Sequence, residues 1–178
     1  MKSLKNLVLA GLFLALGLLL PFLTGQIPQI GNMLLPMHIP VLLCGYFCGW
    51  QYGLAVGAVT PLLRSALLGM PPLFPIATAM AFELAVYGLM TGLLYKRFPK
   101  KAGYTYAVLL ISMIAGRVVW GAVSFVFYGF GDTAFTWEMF MGGAILKALP
   151  GIALQLILIP ILVMALNKNK GKDTTLSA

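Results

Sequence analysis

Residues 6–63 contain no Asp, Glu, Lys or Arg, an uncharged run of 58 positions. A chain that carries such a stretch cannot be kept in solution as an ordinary globule. Composition agrees: 61% of the 178 residues are apolar and 9% charged, where a soluble domain carries roughly 25% charged residues. A membrane helix needs about 20 apolar residues, so the length leaves room for at most six or seven spans and for no separate soluble domain. A closed β-barrel would need short segments of alternating polarity, whereas Leu7–Leu23 and Leu154–Leu166 are long, predominantly apolar runs that fit helices. The expected fold is an all-α integral membrane protein forming one transmembrane domain over residues 1–178.

The net charge of +8 could point to nucleic acid, but its placement argues otherwise. Nine of the twelve basic residues fall in three places: Lys2 and Lys5; Lys96, Arg97, Lys100 and Lys101; and Lys168, Lys170 and Lys172. These are flanks that the positive-inside rule puts in the cytoplasm. The expected surroundings are therefore a lipid bilayer, with no nucleic-acid partner. Spans are expected at about 4–23, 36–50, 52–69, 75–95, 104–128 and 140–166, with a tail over 167–178. Both termini are then inside, and the outer loops 24–35, 70–74 and 129–139 hold no Lys or Arg. Lys2 and Lys5 precede an apolar run without a small-residue cleavage site before Pro21, so the first span is expected to be retained. Gly25, Pro28, Gly31 and Pro36 make the first outer loop irregular and a candidate lid. Cys44 and Cys48 share a helix face as small packing residues, and no metal site is expected.

Five ionisable residues fall inside the expected spans: His38, Arg64, Glu83, Arg117 and Lys147. Each costs at least ~2.5 kcal/mol at the bilayer centre unless it faces protein or a watery cavity. At about 1.5 Å of rise per residue, all five lie between the midplane and the outer surface. A proton relay or channel would string polar groups across the whole thickness; here the inner half is almost purely apolar. The pattern predicts a pocket open to the outside and closed beneath. Spacings of three and four align Arg117, Trp120, Ser124 and Tyr128 on one helix face, and Met80, Glu83, Tyr87 and Thr91 on another. Three cations against one anion leave a buried positive surplus, which calls for an anionic or zwitterionic ligand at Arg64, Arg117 or Lys147. The plainer alternative is that Glu83 pairs with Arg64 or Lys147 only to hold helices together. No nucleotide-binding GxxxxGK[ST] loop and no HExxH occurs, so no cofactor and no catalysis are expected, and any energy for transport must come from another chain.

The run Met37-His-Ile-Pro-Val-Leu-Leu-Cys-Gly45, the following Gly49-Trp-Gln-Tyr-Gly53, and Gly69-Met-Pro-Pro-Leu-Phe-Pro75 before Glu83 resemble the substrate-specific S-components of energy-coupling factor (ECF) vitamin transporters. The resemblance covers about residues 4–166. It implies a bundle of six helices in a prokaryotic plasma membrane that captures a vitamin with high affinity from outside. The vitamin would then be taken up with a transmembrane coupling protein and two cytoplasmic ATPases, which hydrolyse the ATP. It also implies that Gly11 and Ala15 meet the coupling protein, standing where family members carry Ala-xxx-Ala. The loop 24–35, with Gln26, Gln29 and Asn32, would cap the ligand. The candidate binding residues are thus Asn32, His38, Arg64, Glu83, Tyr87, Arg117, Trp120 and Lys147. Among vitamins of this transporter class, pantothenate, a monoanion with hydroxyl and amide groups, matches the cationic surplus. Two other readings remain: a small intramembrane enzyme using His38 and Glu83, and a structural membrane subunit.

Overall fold

The computed structural model describes residues 2–24, 33–129, 136–146 and 148–175. They form seven α-helices, with no strand among the described residues. Helix α1, Lys2–Leu19, is built from Leu, Ala and Val and tightens into a 3₁₀ turn at Leu20–Thr24, where Pro21 has no N–H to continue the α ladder. Helix α2, His38–Cys48, carries Pro40 in its first turn, where an intrahelical donor is not needed. Gly49 at φ 94° breaks the chain sharply into α3, Trp50–Leu68. That conformation favours a residue without Cβ. A second left-handed glycine, Gly69 at φ 69°, ends α3. After a turn containing Pro71 and Pro72, the wide turn Leu73–Ala77 leads into α4, Thr78–Arg97. Lys96 and Arg97 in its last turn complement the helix dipole. Helix α5 is Ala102–Gly129, α6 is the short Trp137–Met141, and α7 is Leu149–Thr175.

Helix α4 lies at the centre, packed on α2, α3 and α5, while α1 rests on α2 and α3, and α7 touches α2 and α5. The α3–α4 contact is the most extensive, and glycines make it possible. A Cβ on Gly53 would strike the Gly88 carbonyl, one on Gly57 the Leu84 carbonyl, and one on Gly92 the backbone of Trp50. Between lipid-exposed helices the hydrophobic effect offers little drive, so close backbone approach and van der Waals contact hold the pair. Outward-facing residues are apolar, including Leu7, Val8 and Leu12 on α1, Ile114, Val118 and Phe125 on α5, and Ile157 and Ile161 on α7.

Among the described residues, four segments are long and apolar enough to cross a bilayer: Ser3–Phe22, Leu73–Arg97, Ala102–Gly129 and Leu149–Asn167. The stretch expected as a span at 36–50 contains an 11-residue helix, only about 16 Å long. The expected span 140–166 is divided instead between α6, the wide turn Gly142–Leu146 and α7. Helix α7 also continues to Thr175, through most of the segment read as a tail. No proline interrupts that stretch.

Candidate functional site: a buried Glu83 cluster beneath an aromatic cap

Three elements converge on one carboxylate oxygen. Glu83 Oε1 accepts a hydrogen bond from the Tyr87 hydroxyl at 3.0 Å and lies 3.1 Å from Arg117 Nη1 and 3.6 Å from His38 Nε2. Glu83 and Tyr87 are four residues apart on α4 and so share a face. Arg117 comes from the middle of α5, and His38 from the first turn of α2. The tilted His38 and Tyr87 rings are 5.4 Å apart. Tyr87 reaches its place because Gly116 offers no side chain there: a Cβ at 116 would collide with the tyrosine ring. His38, Glu83 and Tyr87 are each 1% exposed.

One helical turn beyond Arg117 stands an aromatic group. Trp120 stacks on Phe140 at 6.2 Å, and Trp137 lies 5.4 Å from Phe140. Gly121 accepts the Phe140 ring and Gly143 the Trp120 ring, since a Cβ at either glycine would hit those rings. Thr136 caps α6 by accepting the Met139 N–H, which fixes the helix that presents Trp137 and Phe140.

On the other side of the cluster the interior is apolar. Leu42, Leu84, Val108, Leu109, Ile159 and Val163 are fully buried, and Tyr46 closes against Tyr95 at 4.8 Å while donating to the Thr105 carbonyl. Glu83 stands 14 residues before Arg97, about 21 Å along α4 from the basic turn. The polar cluster therefore sits toward the end of the bundle away from Lys96–Lys101, over a dry floor.

The expected residues are distributed unevenly. His38, Glu83, Tyr87 and Arg117 come together, and Trp120 stands a turn from Arg117. Arg64 goes elsewhere: its guanidinium donates to the Leu18 carbonyl at 2.6 Å and lies 5.2 Å from the Phe22 ring centre. Periodicity put Arg64 at the right depth but could not say that its face looks toward α1. Asn32 and Lys147 lie outside the described residues. Glu83 pairs with Arg117 and not with Arg64, the first of the two partners the plainer alternative offered; the second, Lys147, lies outside the described residues. With His38 neutral the described cluster carries no net charge, so its positive surplus disappears.

The cluster is nevertheless not self-satisfied. His38 Nδ1 and Nε2, Arg117 Nε and Nη2, and both amide atoms of Gln155 are buried with no hydrogen-bond partner among the described residues. Native proteins leave few such groups, and each calls for an explanation. Their donors and acceptors suit a small molecule with polar atoms, and the adjacent aromatic rings suit its apolar body. Gln155 is not among the residues expected above, because it carries no charge and depth arguments built on titratable groups pass over it. Its signal in the sequence is a lone amide in the otherwise apolar run 152–166.

A sequence model of the ECF transporter substrate-specific component family matches residues 5–163. The chain belongs to this family. None of the curated proteins or solved structures compared matches it significantly. As a substrate-specific component it is a multi-pass protein of the cell membrane and a transporter subunit. The family implies a small-molecule substrate and an ECF module as partner.

Proposed function

We propose that this S-component captures a small anionic or zwitterionic vitamin from outside the cell, with high affinity, in the space bounded by His38, Glu83, Tyr87, Arg117 and Trp120. One observation carries this reading: buried polar atoms of His38 on α2 and Arg117 on α5 lie around a neutral ion pair with hydrogen-bonding capacity left over. The two remaining Arg117 nitrogens match a carboxylate, which guanidinium groups bind well. Because Glu83 already balances Arg117, a zwitterion or a monoanion is favoured over a more highly charged solute. Pantothenate is the specific candidate, and Asn32 and Lys147 are the further contacts proposed for it. The proposed topology has six crossings with both termini inside, α2 and α3 completing the four long spans. It puts the cluster on the outer side and the basic turn in the cytoplasm.

The test is to purify the chain in detergent and identify any retained small molecule by mass spectrometry. A retained vitamin carrying a carboxylate supports the reading. A preparation that retains nothing and gives no heat with any vitamin in titration calorimetry overturns it.

The proposed meeting place with the module's transmembrane coupling protein is α1. Gly11 and Ala15 are both on its exposed side, and nothing stands within 4 Å of a Cβ built on Gly11. Small residues four apart permit close helix approach. Gly11→Trp with Ala15→Trp is expected to leave ligand affinity unchanged and to remove vitamin uptake in cells that express the chain with its module. Uptake at the wild-type rate would exclude α1 as that interface.

A further inference from the structure

Helix α7 contributes a polar group that the ion pair does not use. Gln155 is 0% exposed, and neither its Oε1 nor its Nε2 has a partner among the described residues. Register brings it to the level of the cluster along the bundle. Gly151 packs on the backbone of Met33 and Leu34, just before α2 begins. Further along, Asn167 donates to the Tyr95 hydroxyl, and the Tyr95 ring meets Tyr46 of α2. The two helices thus run in the same direction, and one turn past Gly151 brings Gln155 level with His38 at the start of α2. Its helix also touches α5, the element that carries Arg117.

A primary amide offers one acceptor and two donors on a short rigid group. In an apolar helix it is costly unless something takes those bonds. We propose that Gln155 determines specificity by hydrogen-bonding an amide-type group of the ligand, donating to its C=O or accepting from its N–H, while Arg117 holds the ligand's carboxylate. This rests on the capture reading above and narrows it. The substrate class becomes a carboxylic acid that also carries an amide, lactam or cyclic urea group. Such a site discriminates strongly. An analogue lacking the hydrogen-bonding group leaves Gln155 buried and unpaired, whereas a change of one methylene is felt far less.

The test compares the wild-type full chain with Gln155→Met, which keeps the shape and removes the amide, and with Gln155→Leu as a second apolar variant. The probes are pantothenate and biotin, which carry both groups, and nonanoate, which has only the carboxylate. Calorimetry gives affinities, and thermal unfolding without added ligand gives stability. The expected wild type binds pantothenate or biotin and prefers it to nonanoate by about 100-fold or more. Both variants are expected to lose about 100-fold or more toward that probe with unchanged nonanoate binding. Their Tm without ligand should be at or above that of wild type, because an unpaired buried amide has been removed. Wild-type affinity in both variants, or a lower Tm or failure to fold in both, means that the amide is structural and overturns the proposal while leaving capture intact. So does a retained or bound ligand without an amide-type group. Binding of no probe and retention of no molecule overturns the capture reading and this proposal together.

Discussion

Glu83→Gln should abolish ligand capture and lower the stability of the chain by about 3–5 kcal/mol. The substitution keeps volume and removes charge, so what is lost is the counter-ion of Arg117, whose side chain is only 14% exposed. An isolated cation in this position has the apolar floor on one side and aromatic rings on the other, and no second carboxylate is described near it. The Tyr87 hydroxyl also loses its charged acceptor. Removing both charges should behave differently. Glu83→Gln with Arg117→Met is expected to recover most of the stability, since a buried pair contributes little beyond an apolar replacement of similar volume. It should not recover binding. Thermal unfolding in detergent and titration calorimetry on the two variants check this; a single variant as stable as wild type would show that water reaches Arg117 freely.

Gly88→Leu is expected to prevent assembly of the bundle. Gly88 meets the backbone of Gly53 so closely that a Cβ at either position would overlap the carbonyl of the other. Backbone cannot step aside as a flexible side chain can, so α3 and α4 would have to separate along much of their length. Overpacking inside a core ordinarily costs about 1–3 kcal/mol; here the effect should exceed that range because the obstructing atoms are main chain. Gly103→Leu is the matched control, since nothing lies within 4 Å of a Cβ there. Size-exclusion chromatography of the two variants should give aggregate for the first and a wild-type profile for the second.

The residues of the cluster were legible to different degrees. Depth and helical spacing singled out His38, Glu83, Tyr87 and Arg117 because each contradicts its apolar surroundings, and a charge in a membrane span needs a partner. Spacing along one helix does not reveal which neighbour that helix faces. Hence Arg64, at a suitable depth, belongs to the contact between α3 and α1, and the pairing of Glu83 with Arg117 could not be chosen over the alternatives. Gln155 was missed because a single amide in a long apolar run is a weak signal until its neighbours are known. Phe140 was missed for a related reason: it stacks on Trp120 across a chain reversal, where helical periodicity says nothing.

Sequence alone determined the environment and the class of fold. An uncharged run of 58 residues can be stable only in lipid, and a backbone in lipid must satisfy its own hydrogen bonds, which makes it helical when the apolar segments are continuous. Tertiary structure decided the rest: the short α2, the broken approach to α7, the glycine contact that makes α4 the centre, and the meeting of three helices on Glu83 Oε1. The division has a physical origin. Transfer to the bilayer depends on composition summed over a segment, whereas a site depends on the rotation and register of separate helices, and those are fixed by side-chain packing between residues far apart in the chain.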